Sequence, residues 1–537
     1  MGRHASNDVL EVSMEEIAGI RQAISETDLP DRYKAILLTL IEEVVNIKQT
    51  ANERKAALER LKRMFGSNSE KRSPANEISE TSNQAEENET DHSKVAEPVK
   101  KAKNHGRNGA KDYCISKTVA YHHQLLHPGD CCPKCQHGTL QSCEPRKIIR
   151  LIGNAPISAE LHQPDRLRCG GCGLTFTAET PAEILDSKFD PSANAIVACL
   201  RFSMGMPHFR LAKLQNSLGV PLPASTQYEM VELLWTVVVP VFNELLRLAA
   251  GWPLLFVDDT PAKILELLKD KEKRKDAGER VGIFTTAMVA RREGKEIHLF
   301  FTGGKHAGEN LGLLLDKRDE SLEPAMQMSD ALSRNFPKNH LTVVTLCLVH
   351  ARRNFIDCEE AYPDDAMYVI SRIALIYKNE KLIKQQEMSD VQRLEYHQKH
   401  SRAPMEEIKE FALARLENKD IEKNSPLNQA YRYMIDHWKA LTMFLEVPGA
   451  PLDNNPAERL IKTAIPHRKN SLFYKTESGA AVGDCLMSLC QTCVANGENP
   501  FEFFIALQKN SKHVARNPHL WLPWNYRNTL KSVGSSP

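Results

Sequence analysis

Apolar residues recur at helical spacing over residues 13–66. Within that stretch Leu37, Leu40, Val44, Ile47, Ala51, Arg54, Leu58, Leu61 and Phe65 alternate intervals of three and four. This heptad seam predicts a leucine-zipper-like coiled-coil helix, weakened at Ala51 and Arg54. Such a stripe needs a second helix to cover it, either from another copy or from the same chain, and the expectation is self-association. The pattern then disappears over 67–112. Ser67–Pro98 holds eight acidic and three basic residues and almost no large apolar side chain, which predicts a disordered linker. The end of the linker changes sign: Lys100, Lys101, Lys103, Arg107 and Lys111 stand without an acid between 99 and 111. That run is either a solvated basic linker or a contact to DNA phosphates.

Helical spacing returns over 190–250. HFRLAKLQNSLGVPLPASTQYEMVELLW reads as helix, turn, helix, with Ser225 or Thr226 as N-cap. Both a DNA-binding helix-turn-helix and a plain core hairpin fit it. After Gly251 the period shortens. PLLFVDDTPAKIL reads as a buried strand, GIFTTAMVARREGKEIHLFFTGG as a hairpin, AGENLGLLL as a helix, AMQMSDAL as a short strand, and LTVVTLCLVHARRNF as a strand entering a helix. The order β-β-β-α-β-α-β over 251–356 predicts a mixed sheet with helices on its faces. Residues 357–447 are polar and helical, an all-α insertion. Sheet-domain sequence resumes over 448–490, with a turn at Pro448-Gly449-Ala450-Pro451 and helix from Asn454. A helical tail over 491–537 ends in WLPWNYR.

Composition narrows the class. Of 537 residues, 26% are charged and 42% hydrophobic, as in soluble globular proteins. No uncharged apolar run approaches the ~18 residues of a membrane span and no secretory signal is visible, so a cytoplasmic protein without a membrane partner is expected. The formal net charge of +1 argues against a uniformly basic coat but leaves room for local basic patches. Thirteen cysteines without an export signal point to a reducing compartment. Cys199, Cys347, Cys358, Cys485, Cys490 and Cys493 sit in apolar stretches as small buried hydrophobes. Over 113–182 the reading differs. Cys132-Pro-Lys-Cys135 and Cys169-Gly-Gly-Cys172 supply the four soft ligands of one structural Zn²⁺, a zinc ribbon, with a strand pair in RKIIRLIG and ISAELHQ between the knuckles. Cys131 is a substitute for Cys132, and His127 and His137 are weaker candidates.

Three carboxylates carry the candidate chemistry. Asp258 ends an apolar strand, Asp330 ends a second, and Glu458 lies near the start of a helix. Three acids on three elements suit a pair of hard divalent cations, which take oxygen ligands and support in-line phosphoryl displacement. Spacing alone makes this a weak signal, since strand-end Asp residues commonly cap turns.

The local words sharpen it. FVDDTP, CLVHARRNF, DNNPAERLIK, IPHRKNSLF and the terminal LPWNY, in that order, resemble the DDE-type transposases of the insertion sequence 66 family. LKRMFGSNSEK resembles that family's leucine-zipper-like start, and the two C-x-x-C pairs resemble its zinc-binding region. The resemblance implies an RNase H-like core with two Mg²⁺ or Mn²⁺ ions. It implies catalytic Asp258, with Asp259 as a substitute, then Asp330, in Met328-Ser329-Asp330-Ala331 where the family more often has T-D-G, and Glu458 in N-N-x-A-E-R. It further implies DNA as partner, both element ends and target, with small accessory proteins of the element. Water attack would free a 3′-hydroxyl, which would then attack target DNA. Arg459, Arg468 and Lys469, with Lys462 and His467, suit phosphate contacts, solvated helix surface being the alternative for the last two. Two other classes stay open: an RNase H-like nuclease without strand transfer, and a catalytically silent DNA-binding regulator.

Overall fold

A computed structural model of the chain describes residues 14–42, 120, 125–143, 154–168, 175–181 and 184–533, with interruptions at 28, 31, 35, 186, 277, 279 and 418–420. The chain forms two compact units, one of residues 1–73 with 157–537 and one of 74–156. The acidic linker, Lys100, Lys101, Lys103, Arg107, Cys169 and Cys172 lie outside the described residues.

At the N-terminus the structure departs from one helix over 13–66. Helix α1 spans Met14–Glu26, and helical structure restarts only at residue 32. Pro30 explains the break, because it has no amide donor and disfavours helical backbone before it. Of the seam, only Leu37 and Leu40 are described. They are 38% and 51% exposed.

Strands β1 (Arg166–Arg168) and β2 (Thr175–Thr177) pair antiparallel and flank the second C-x-x-C. The strand expected in ISAELHQ is absent; that segment is irregular. Next come α2 (Pro191–Ala198), α3 (His208–Ser217) and α4 (Ala224–Gly251). Helix α4 starts after Pro223, ahead of the expected Ser225 or Thr226 cap. Pro223, at φ −55°, leads in, and its carbonyl accepts from Gln227 N–H. The buried Gln227 amide donates to His208 O at 3.0 Å and Leu222 O at 2.9 Å, pinning α3 to α4. By length and composition α4 could cross a membrane. In the fold its Met230, Leu234, Val238, Val241, Leu245 and Ala249 form a buried stripe in the main core.

The sheet has the order β5-β4-β3-β6-β7, from β3 (Leu254–Pro261), β4 (Phe284–Arg292), β5 (Lys295–Gly303), β6 (Met326–Ser329) and β7 (Val343–Leu346). The β3–β4 and β4–β5 pairs are antiparallel; β3–β6 and β6–β7 are parallel. Glu293 and Gly294, at φ 51° and 75°, make the tight turn between β4 and β5. Helix α5 (Ala307–Leu315) follows β5. The helix expected between β6 and β7 is replaced by a 3₁₀ turn, Ser333–Asn335. Pro337 stops helix there, and Gln327 Nε2 holds the turn by donating to Asn335 O at 2.7 Å.

Helix α6 (Leu348–Asp357) leads into the all-α insertion of α7 (Pro363–Gln385), α8 (Asp390–His400), α9 (Arg402–Glu417) and α10 (Pro426–Asp436). These helices share a core around Phe355, Ile373, Ile408 and Tyr431. The chain returns with α11 (Asn455–Ser471), α12 (Glu477–Ala495) and α13 (Pro500–Lys509). The aromatic tail is part of the main core, with Trp521 and Tyr526 buried.

Helix α12 closes the edge of the sheet. Asp484, Ser488, Thr492 and Asn496 recur every four residues. They accept from the backbone N–H groups of Thr302, Phe300, His298 and Glu296 at 2.6, 2.9, 3.0 and 3.4 Å. Four helical residues rise ~6 Å and two strand residues ~6.6 Å, so the two repeats stay in step. The exposed row of donors on β5 is thereby satisfied within the chain.

Candidate active site

Register brings the first two acids together. Parallel pairing of Leu254 with Met326 and Phe256 with Met328 puts Asp258, two residues on, level with Asp330 just past the end of β6. The third acid is brought in by Asn454, the buried N-cap of α11. Its Nδ2 donates to Val257 O on β3 at 3.0 Å, and its N–H donates to Cys347 Sγ, just past β7, at 3.3 Å. One turn later Glu458 faces the same ends of the strands.

The three carboxyl groups feel one another. Burial first, and then the neighbouring charge of Asp330, push Asp258 up to about 7; Glu458 adds to the effect. Asp330 is raised by burial, against the opposing influence of the Leu332 amide and Arg334. Its Oδ1 also accepts from Asn335 Nδ2. Burial raises Glu458 too, while Arg353 and Lys462 pull it back. Glu458 Oε1 is buried and has no hydrogen-bond partner among the described residues.

Asp259, adjacent to Asp258, is differently engaged. Its carboxylate lies 3.2 Å from His306 Nδ1 and 3.3 Å from Arg334 Nη2, with only 3% of its side chain exposed. An acid held by a guanidinium and an imidazole is a structural ion pair, whereas Asp258 meets mainly other acids.

A second possible ligand set overlaps the first. Cys347, at the N-cap of α6, His350 and Glu458 offer ligand atoms within 4.8 Å of one another. His350 Nδ1 lies 3.8 Å from Glu458 Oε1. Burial pushes the Cys347 thiol up to about 12.

The basic residues of α11 separate into two groups. Arg459, Lys462 and Lys469 are exposed on one face of the helix. Arg468 turns inward, donating to Thr260 Oγ1 at 2.9 Å and Pro261 O at 2.8 Å. His467 is neither solvated surface nor an available phosphate contact: it is 5% exposed, and burial lowers it to about 4. Its Nδ1 lies 3.0 Å from Arg201 Nη1 and its Nε2 3.1 Å from Phe202 O. A guanidinium only donates, so Nδ1 accepts and Nε2 carries the proton given to Phe202. The sequence marks Asn454 only as a helix start and does not mark Arg201. The Asn-Asn-Pro start of α11 is a cap signal for Asn454, but nothing local marks Arg201, whose partner is 266 residues away.

In the smaller unit the chain turns tightly through the first C-x-x-C. Cys132 N–H donates to Gly138 O at 2.7 Å, and Cys131 bridges Thr139. The Cys135 thiol is lowered by hydrogen bonds from the His137 and Gly138 backbone and from the Cys132 side chain.

A profile for the transposase IS66 family matches residues 186–482, which contain the sheet, the insertion and all three acids. Similar proteins of Sinorhizobium fredii (strain NBRC 101917 / NGR234) are uncharacterized. Protein y4jD is 25% identical over 385 residues, covering 67% of this chain and 71% of its own length. Protein y4hP is 20% identical over 390 residues, 68% of this chain and 67% of its own. Protein y4qI is 27% identical over 190 residues, 34% of this chain and 33% of its own.

Proposed function

Because the chain belongs to the IS66 transposase family, we propose that it binds the ends of its insertion element and catalyses metal-dependent DNA strand cleavage and strand transfer, with Asp258, Asp330 and Glu458 as the catalytic acids of an RNase H-like core. The observation that carries this reading is the convergence of the acids. Parallel register levels Asp258 with Asp330, and Asn454 fastens the start of the Glu458 helix to β3.

The donor set fits hard divalent cations. Three partly buried carboxyl groups sit together, Asp330 and Glu458 both raise Asp258, and among the described residues Glu458 Oε1 has no hydrogen-bond partner. This arrangement is costly in isolation and suits Mg²⁺ or Mn²⁺. Bound there, the cations would activate the attacking oxygen and stabilise the leaving one. The chain's own part is to hold the strand. Arg353 and Lys462 stand beside Glu458, and the exposed stripe of Arg459, Lys462 and Lys469 suits contacts to the DNA backbone. In cleavage, a water oxygen attacks phosphorus and the bond to the 3′-oxygen breaks. The freed 3′-hydroxyl oxygen then attacks a phosphorus of the target, the bond from that phosphorus to the target's own 3′-oxygen breaks, and that leaving oxygen takes up a proton.

Cys132 and Cys135 are proposed as two thiolate ligands of a structural zinc ion. The hydrogen bonds that lower Cys135 favour the ligating form.

The test is an assay of the full chain with a duplex carrying its element's terminal repeats, in Mg²⁺ or Mn²⁺. New 3′-hydroxyl ends and joined products are expected. Ends without joined products would identify a nuclease instead, and binding without cutting would identify a regulator.

A further inference from the structure

Beside the acid cluster, a small pocket open to solvent lies between the end of β3, the second half of α11 and the segment that follows it. Its lining includes Arg201, Thr260, Arg468, Ser471, Phe473 and Tyr474. The walls are fixed by backbone: Tyr474 N–H donates to Lys263 O, and Leu265 N–H to Tyr474 O, both at 2.9 Å.

This lining is short of acceptors. Arg201 is 7% exposed, and among the described residues no carboxylate lies within 4.0 Å of it. It donates to neutral His467 and stands over the Phe202 ring at 5.4 Å, but its Nε is buried without a partner. Among the described residues the Ser471 and Tyr474 hydroxyls are likewise buried without a hydrogen-bond partner. The nearby carboxyl of Asp484 is turned to Thr302, which donates to both of its oxygens. A buried guanidinium without a counter-ion is costly, and so are idle buried donors. An acceptor-only group with several oxygens would satisfy them together.

We propose that this cavity seats one phosphodiester of the DNA strand held at the acid cluster, a neighbour of the phosphate that is cut. The proposal rests on the transposase reading. Two features favour DNA over a free phosphate. Thr260 is two residues beyond Asp258, hence on the same face of β3 and only ~7 Å along it. At the rim, Leu472 and Phe473 are 61% and 43% exposed, and an exposed ring beside a phosphate site offers a base a stacking surface.

Two probes test this on the full chain. First, inorganic phosphate is titrated at constant ionic strength and the thermal midpoint followed. A saturable rise is expected, with apparent affinity about tenfold weaker in the Ser471→Ala, Tyr474→Phe double variant, which deletes two oxygens and leaves Arg201 in place. Second, a duplex carrying the element end is given one neutral methylphosphonate at a time around the cut. A single position near the cut should weaken binding of the parent about tenfold and of the double variant little. Phosphate saturation without any sensitive position assigns the cavity to a free anion and overturns the DNA assignment. No response to either probe, in protein that still cuts DNA, overturns the cavity proposal and leaves the transposase reading intact. Phosphate saturation in protein that neither binds nor cuts element ends overturns that reading itself, and the DNA assignment with it.

Discussion

Asp484 shows how a single carboxyl reports on its surroundings. Buried between α12 and the edge of the sheet, it is pushed from 3.8 to about 7 by desolvation, with the Thr302 hydroxyl and amide opposing the shift. A carboxyl raised in the folded state holds its proton there while the unfolded chain has released it. The folded form therefore binds more protons between pH 4 and 7, and stability falls as pH rises through that window. Three units correspond to at most roughly 4 kcal/mol. Asp484→Asn keeps an acceptor for Thr302 and removes the titration. Urea unfolding at pH 5 and pH 8 should therefore show a smaller loss for the variant than for the parent. Equal losses would mean that Asp484 is ionised in both states.

At the scale of elements, the decisive contact is the tie between the start of α11 and β3. Asn454→Ala strands the buried Val257 carbonyl and should cost about 1–3 kcal/mol in urea unfolding. It should also lower the cleavage rate, since Glu458 sits one turn along the released helix. An unchanged rate in a destabilised variant would mean that α11 is positioned by its core packing alone. Much of this level was legible beforehand. The two strand-like runs of β4 and β5 around Glu293-Gly294, the helix at AGENLGLLL and the restart of helix at Asn454 all declare themselves locally. Neighbours distant in sequence do not. The placement of β6 against β3, the Arg201–His467 pair and the pinning of α3 by Gln227 depend on long-range packing. A histidine next to Arg468 and Lys469 reads as part of a basic patch, although His467 points inward. Two features carry sequence signals of their own: the polar stripe at spacing four in α12 marks the covered sheet edge, and Pro30 marks the break after α1.

At the scale of the whole molecule, the proposed strand transfer would require two DNA ends to be held together, and pairing of chains is the proposed means. Leu37 and Leu40 open the heptad seam and are exposed, which supports residues 1–70 as a self-association segment. With Ala51 and Arg54 in the seam, a weak dimer is expected. Light scattering should show a lower mass for Leu40→Asp with Leu61→Asp than for the parent; equal masses would move pairing to another surface. The zinc proposal is likewise read on the whole chain. Protein purified without chelators should contain one zinc per chain, and Cys132→Ser with Cys135→Ser should lose it. A metal-free parent would reject the site.

The central claim is that Asp258, Asp330 and Glu458 form one divalent-cation centre that cuts DNA. Its most direct test compares the parent with Asp258→Ala, Asp330→Ala and Glu458→Ala for cleavage of element-end duplex in Mg²⁺, with binding to the same duplex measured alongside. Each variant should lose cleavage and joining by at least ~10³-fold while binding the duplex within a few-fold of the parent, because affinity comes mainly from basic contacts. A variant that still cuts at the parental rate would remove its acid from the centre and contradict the account.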